Sequence, residues 1–331
     1  MREQKTFLQY TEKDKWTRML KVVQANTHRL PPDIKLPFKK LAIVRFIFNN
    51  LLLLLIQYSG LHLSNLSSGP APVWFATGTA CAFLFLRGFS VLPGIYVGNF
   101  LGYFAAKIGF GYALAFATVI SGQAVVLLWL HYHYLSPTLI FYRLPTYIQF
   151  VAYTAVLTAT VSLVLLFLYV SCWPRQESAL CIWAYLWLGN LNAILIFSCA
   201  YLTWDAYSLR TDPIQKSTRW LRNILYLILI STNLALAFST SAAAGWILGL
   251  ISIVITMIIS IYFGWCGAIA ASFLSAILLS FAAFLDAPVF HTSFANIMVL
   301  SIQILLCVQT ITALSIGIQQ KKHSAQLAHT F

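Results

Sequence analysis

Side chains able to move protons or hold metals are scarce once the first 40 residues are passed. The carboxylates there are Glu177, Asp205, Asp212 and Asp286, all near expected loops. Enzymatic acid–base or nucleophilic chemistry needs such groups gathered in a cleft. No H-E-x-x-H, G-x-S-x-G or phosphate-binding loop occurs. The run "HYH", His131 to His133, puts both imidazoles on one face only in an extended chain. Beside Tyr132 and Tyr134 at an expected inner boundary, it reads as an interfacial aromatic belt. The six cysteines contain no C-x-x-C pair. Cys172 and Cys181 flank the loop "CWPRQESALC"; a disulfide there needs an oxidising compartment, and free thiols are the simpler expectation. These residues predict a non-enzyme with no cofactor and no metal.

What remains is neutral polar chemistry inside apolar segments. "LRGFSVLPGIYVGNFLGYF", from Leu86 to Phe104, groups Tyr96, Asn99 and Tyr103 at helical spacing, with Arg87 at its start. "CIWAYLWLGNLNAILIF" puts Trp183, Trp187, Asn190 and Ile194 on one face. Gln303 lies in the middle of "MVLSIQILLCVQTITALSIGIQQKK". An indole N–H or a carboxamide in lipid needs a partner. Trp74, Arg87, Tyr96, Asn99, Tyr103, Trp187, Asn190 and Gln303 are therefore the expected polar network or ligand-binding set. Both readings, interhelical bonding and ligand contact, stay open from sequence.

The elements that position these groups are transmembrane helices. The chain has 331 residues, is 60% hydrophobic and only 9% charged. Soluble domains carry about 25% charged residues. Ten spans are expected near 41–59, 72–86, 91–107, 111–131, 147–171, 180–203, 221–239, 245–263, 266–285 and 297–318, each on the order of the 20 residues a bilayer requires. Helices in lipid associate through small residues. Gly94, Gly98 and Gly102 recur every fourth position and line one face, Pro93 sits at the start of that span, and Gly78 is a further packing glycine. Residues 1–40 hold ten Lys and Arg and read as a basic cytoplasmic tail, helical from about Glu12 to Gln24 and broken at Pro31-Pro32. Anionic lipid is the expected partner of this charge, not nucleic acid. With that tail inside, 19 of the 21 Lys and Arg fall on the inner side, against Lys107 and Arg175 outside. Such asymmetry predicts an even number of spans and both termini in the cytoplasm. Residues 41–320 form the expected membrane domain and 321–331 a short cytoplasmic tail.

Taken in order, these segments resemble the MASE1 family of bacterial membrane-associated sensor domains. The family's tryptophan, glycine-arginine turn and W-P-G-x-x-G run correspond to "VWFATGTACAFLFLRG" and "LPGIYVGNF". Trp74, Gly78, Gly88, Pro93, Gly94 and Gly98 occupy the matching positions. "WLGN", Trp187 to Asn190, resembles the family's W-L-G-D helix, and the segments "FGWCGAIAASFLSAIL" and "LSIQILLCVQTITALSIGIQQKK" resemble its last two helices. Two features depart from the pattern: Phe75 and Ala76 replace paired prolines, and Asn190 replaces the acid. The resemblance implies an all-α bundle of 8–10 spans in a bacterial inner membrane. It also implies a sensory role, with signalling to a separate cytoplasmic enzyme or a membrane receptor, because no output domain is expected after Lys322. A homo-oligomer is compatible with it. A small-molecule transporter is the alternative, which internal inverted repeats would favour; no convincing repeat is evident between the two halves of the sequence.

Overall fold

The computed structural model describes residues 38–66, 72–134, 143–172, 178–207, 219–285, 287 and 295–328. The expected tail helix and its Pro31-Pro32 break lie outside these residues. Among the described residues every regular element is a helix, as lipid demands of a backbone that must satisfy its own hydrogen bonds. The helices are α1 (Phe38–Leu66), α2 (Phe75–Arg87), α3 (Leu92–Ala105), α4 (Phe110–Tyr134), α5 (Leu144–Cys172), α6 (Ala179–Tyr207), α7 (Arg219–Ala237), α8 (Ala242–Phe284) and α9 (Ala295–Ala328), with a short 3₁₀ turn, Gly88–Val91, between α2 and α3. Outward faces are as apolar as the core: Val156 and Phe167 of α5 are 68% and 74% exposed. Water would penalise that surface, and a bilayer does not. Helix α6 runs through the middle, buried from residue 189 to 199.

Eight stretches among the described residues are long and apolar enough to cross a membrane, where ten spans were expected. The expected spans 72–86 and 91–107 fall in one stretch, Phe75–Ala105, and 245–263 and 266–285 in another, Ala243–Phe284. In both stretches the break falls on a glycine. Gly88 has φ +64° and ψ −159°, and Gly264 has φ +63° and ψ −159°. That region is open almost only to glycine.

The chain reverses at both glycines. Along α1, Gln57 meets Thr79 of α2 and lies against Gly98 of α3, while Asn50 meets both Ser90 and Gly94. So α2 descends to the level of Asn50 and α3 climbs back. Along α7, Asn233 meets Ser252 and Ser275, which lie on opposite arms of α8. Helices α2 and α3, of 13 and 14 residues, are each about 20 Å long and make a short hairpin. The arms of α8, 242–263 and 265–284, are long enough to cross.

These reversals expose a repeat that the sequence did not announce. In α1–α4 a helix is followed by a glycine-hinged hairpin and then another helix. Helix α7, the two arms of α8 and α9 follow the same order. In both units the first helix runs antiparallel to the first arm and parallel to the second, and the last helix runs parallel to the first arm. The sense is the same in both units, not inverted.

Candidate functional site

The glycine face of α3 is seated on α1. A Cβ at Gly94 would meet the Asn50 backbone, with Asn50 Cα at 2.7 Å. At Gly98 it would stand 2.8 Å from the Leu54 carbonyl oxygen, and at Gly102 2.7 Å from Leu61 Cδ1. Pro93 sits in the first turn of α3, where a missing N–H is harmless. Gly78 touches α6: a Cβ there would lie 2.5 Å from the Ala193 carbonyl oxygen. Asn50, which sequence reasoning passed over, clamps the turn. Its Nδ2 donates to the Ser90 carbonyl (2.9 Å), and its Oδ1 accepts from Gly94 N (2.6 Å), an N–H the first helical turn leaves unpaired.

Of the expected polar residues, Trp74, Gln303 and the stretch around Asn190 come together. The Trp74 amide donates to the Gly189 carbonyl (3.3 Å). A Cβ on Gly189 would collide with the Trp74 ring, 2.6 Å from Cδ1, and approach Gln303 Nε2 at 3.1 Å. Gln303 Nε2 donates to the Tyr185 carbonyl (3.3 Å), and Asn192 Nδ2 donates to the Gln303 carbonyl (2.8 Å). This node ties the start of α2 to α6 and α9 in mid-bundle.

The remaining expected residues are dispersed. Trp187 stacks on Trp183 at 5.0 Å, and both indoles donate to α5 carbonyls, at Ala155 and Ala159. Tyr96 turns to α4, its hydroxyl 3.1 Å from Thr118 Oγ1. Tyr103 is buried and stacks on Phe116 at 4.6 Å. Asn99 is fully buried and donates only to Ile95 of its own helix (2.9 Å). Tyr96 and Tyr103 thus both reach α4, while Asn99 bonds within α3. Arg87 is exposed at the last turn of α2, apart from the polar interior. His131 is buried against Phe85 (4.8 Å), while His133 points outward and stacks on Trp129, so the two rings lie on opposite faces of the helix. No disulfide joins any of the six cysteines, Cys172 and Cys181 included.

A second polar set was missed altogether. Asn233 Nδ2 donates to Ser252 Oγ (3.3 Å) and Ser275 Oγ (3.2 Å). Gln309 Nε2 donates to Thr256 Oγ1 (2.7 Å) and to the same Ser275 (3.1 Å). All four helices of the second unit are joined around a small cavity that Asn233, Gly249, Ser252 and Gln309 help line. A signal was present: Gln309 stands in the quoted stretch that holds Gln303, and carboxamides in a lipid-spanning run call for partners.

The buried polar side chains of the described residues are chiefly hydroxyls and carboxamides, with no Asp, Glu, Lys or Arg and with His131 the one imidazole among them. No group of three or more His, Cys, Asp or Glu side chains able to hold a metal ion occurs among the described residues. Such a neutral interior in an eight-stretch helical bundle defines a multi-pass membrane domain. The chain belongs to the MASE1 family of membrane-associated sensory domains, whose family model matches residues 48–322. No curated protein and no solved structure matches it.

Proposed function

We propose that this protein is a sensor of the bacterial inner membrane that detects a ligand or membrane partner inside its bundle and signals to a separate cytoplasmic protein. One observation carries the reading. Helix α9 holds Gln303 and Gln309 in the buried layer and continues without a break to Ala328, past Lys321 and Lys322. A change felt by those amides has a rigid path to the basic end of the helix. Ligand binding must favour one of two positions of that helix for a signal to pass.

The topology that goes with this reading places both ends in the cytoplasm. The arms of α8 count as two passes, and the α2–α3 hairpin as two short passes or none. Either count is even, and the Lys and Arg bias sets the inner side. Ten passes follow if the short hairpin crosses a locally thinned bilayer.

Cross-linking in native membranes followed by purification tests the role. A reproducible cyclase, kinase or receptor whose recovery depends on residues 1–40 or on the chain after Gln319 supports it. A protein recovered alone sinks it. The same-sense repeat favours a second reading, a small-molecule transporter, since parallel repeats occur in such folds. Uptake into vesicles decides between the two.

A further inference from the structure

We propose that His131, caged by Phe85 and Phe150 at one end of the bundle, is a proton-binding site whose occupation releases the last turn of α4. The proposal deepens the sensory reading by naming the proton as a signal, and rests on it only for what the release reports.

Aromatic rings from three helices meet there. Between ring centres, His131 of α4 lies 4.8 Å from Phe85 of α2 and 6.1 Å from Phe150 of α5. Those two phenyl rings stand 6.5 Å apart, and Tyr132 meets the imidazole edge-on at 5.8 Å. His131 is 2% exposed. Water is still close along the chain. Phe85 is two residues from the end of α2, His131 three from the end of α4, and Phe150 six past the start of α5. Arg87 and Arg143 mark this end of the bundle, the one that the proposed topology puts in the cytoplasm.

A histidine kept for structure bonds through at least one nitrogen. Neither nitrogen of His131 has a hydrogen-bond partner among the described residues. A neutral imidazole offers one donor and one acceptor, and this one uses neither. It fills the cage as a phenyl ring would, and only its capacity for a proton sets it apart from one. The surroundings decide what that proton does. Near Phe85, α2 carries Cys81 and Arg87; near Phe150, α5 carries Tyr147 and Tyr153, with Arg143 just before it. Beside His131 stand Tyr132, His133 and Tyr134. No carboxylate is among these groups, and both arginines oppose a further positive charge. An imidazolium in the cage would hold two N–H donors with nothing to receive them. Attraction to the ring faces recovers part of that loss, and water recovers more. The charged ring therefore leaves for water and draws the last turn of α4 with it.

Linkage sets the size of the response. In the cage the ring holds no proton; once released it titrates at about 6.5, as histidine does in water. The closed form is therefore fully stable above that value and loses stability as pH falls through it. Between pH 7.5 and 5.5 the released fraction should rise about tenfold. His133 is exposed in the closed form already, stacked on Trp129, so it gains nothing from release and serves as the control.

Amide hydrogen exchange of the full chain in nanodiscs tests the site. It is read as protection factors, which remove the intrinsic effect of pH on exchange. Between pH 7.5 and 5.5 the amides from Leu127 to Tyr134 should lose about tenfold in protection, while those of α7 keep theirs. His131→Phe keeps the cage filled and should hold its protection at both values. His131→Leu repeats the test with a smaller side chain and should hold as well. His133→Phe should respond as the wild type does. Unchanged protection in the wild type, a loss that persists in both His131 variants, or a loss abolished by His133→Phe overturns the site. If the opening follows pH and recovery of the cytoplasmic partner does not, the proton site stands and only its part in signalling falls.

Discussion

The two glycine-hinged units hold the same hairpin by different means. In the first, Gly94, Gly98 and Gly102 bring α3 onto the backbone and side chains of α1. In the second, the positions equally far past the hinge are Ala270, Leu274 and Leu278, too large for such an approach. Hydrogen bonds from Asn233 and Gln309 bind the arms instead. Even the clamp on the turn is replaced: Asn50 bonds both sides of the first reversal, and at the matching place Tyr226 Oη donates to the Gly267 carbonyl (3.3 Å). Close packing and polar bonding are thus alternatives for tying helices in lipid.

The largest expected effect tests whether packing is indispensable in the first unit alone. A Cβ on Gly98 meets Gln57 Cβ at 2.7 Å and the Leu54 backbone, which cannot step aside. A Cβ on Gly249 meets chiefly Leu305 Cδ1, the end of a flexible side chain. Gly98→Leu should cost about 3 kcal/mol or more and lower the folded yield sharply. Gly98→Ala should destabilise clearly more than Gly249→Ala, as read by thermal unfolding in detergent. Equal losses would mean that α3 is no more tightly seated than α8.

The hinges come next, and there the units should agree. Neither Gly88 nor Gly264 has an atom within 4 Å of a Cβ position, so a methyl group meets no neighbour and only the positive φ resists it. Gly88→Ala and Gly264→Ala should each cost about 1–3 kcal/mol. Unfolding midpoints that fall together support equivalent reversals. A loss confined to one would break the repeat at its centre.

Much of this was legible and some was not, for physical reasons. Apolar runs of sufficient length wrote the helices, because lipid leaves a backbone few other choices. The spacing of Gly94, Gly98 and Gly102 pointed to one face, and that face lies on α1. Grouping Tyr96, Asn99 and Tyr103 by helical face did not predict their partners. Tyr96 and Tyr103 both reached α4 but at separate residues, Thr118 and Phe116, and Asn99 stayed on its own helix. The repeat was hidden because it keeps positions rather than residue types: Gln57 answers to Asn233, and Asn99 to Ser275. Trp74 and Gln303 lie far apart in the chain, and only the fold brings both to Gly189.

The smallest expected effect is the most direct measure of the difference between the units. Double-mutant cycles for polar pairs between membrane helices average about 0.6 kcal/mol and reach about 1.7. Gln309 Nε2 serves Thr256 at 2.7 Å and Ser275 at 3.1 Å, while Gln57 Nε2 serves Thr79 alone at 3.0 Å. Thr79 Oγ1 donates to the Phe75 carbonyl (2.7 Å), so it offers Gln57 only its lone pairs. The cycle Gln309→Met with Thr256→Val should therefore give a coupling near the upper end of that range, and Gln57→Met with Thr79→Val one near or below the mean. Both are read from unfolding in the same detergent, with each single variant confirmed as folded. A larger coupling in the first unit would make Gln57–Thr79 the anchor of its hairpin. The glycine groove would then follow from that bond rather than seat α3 on its own.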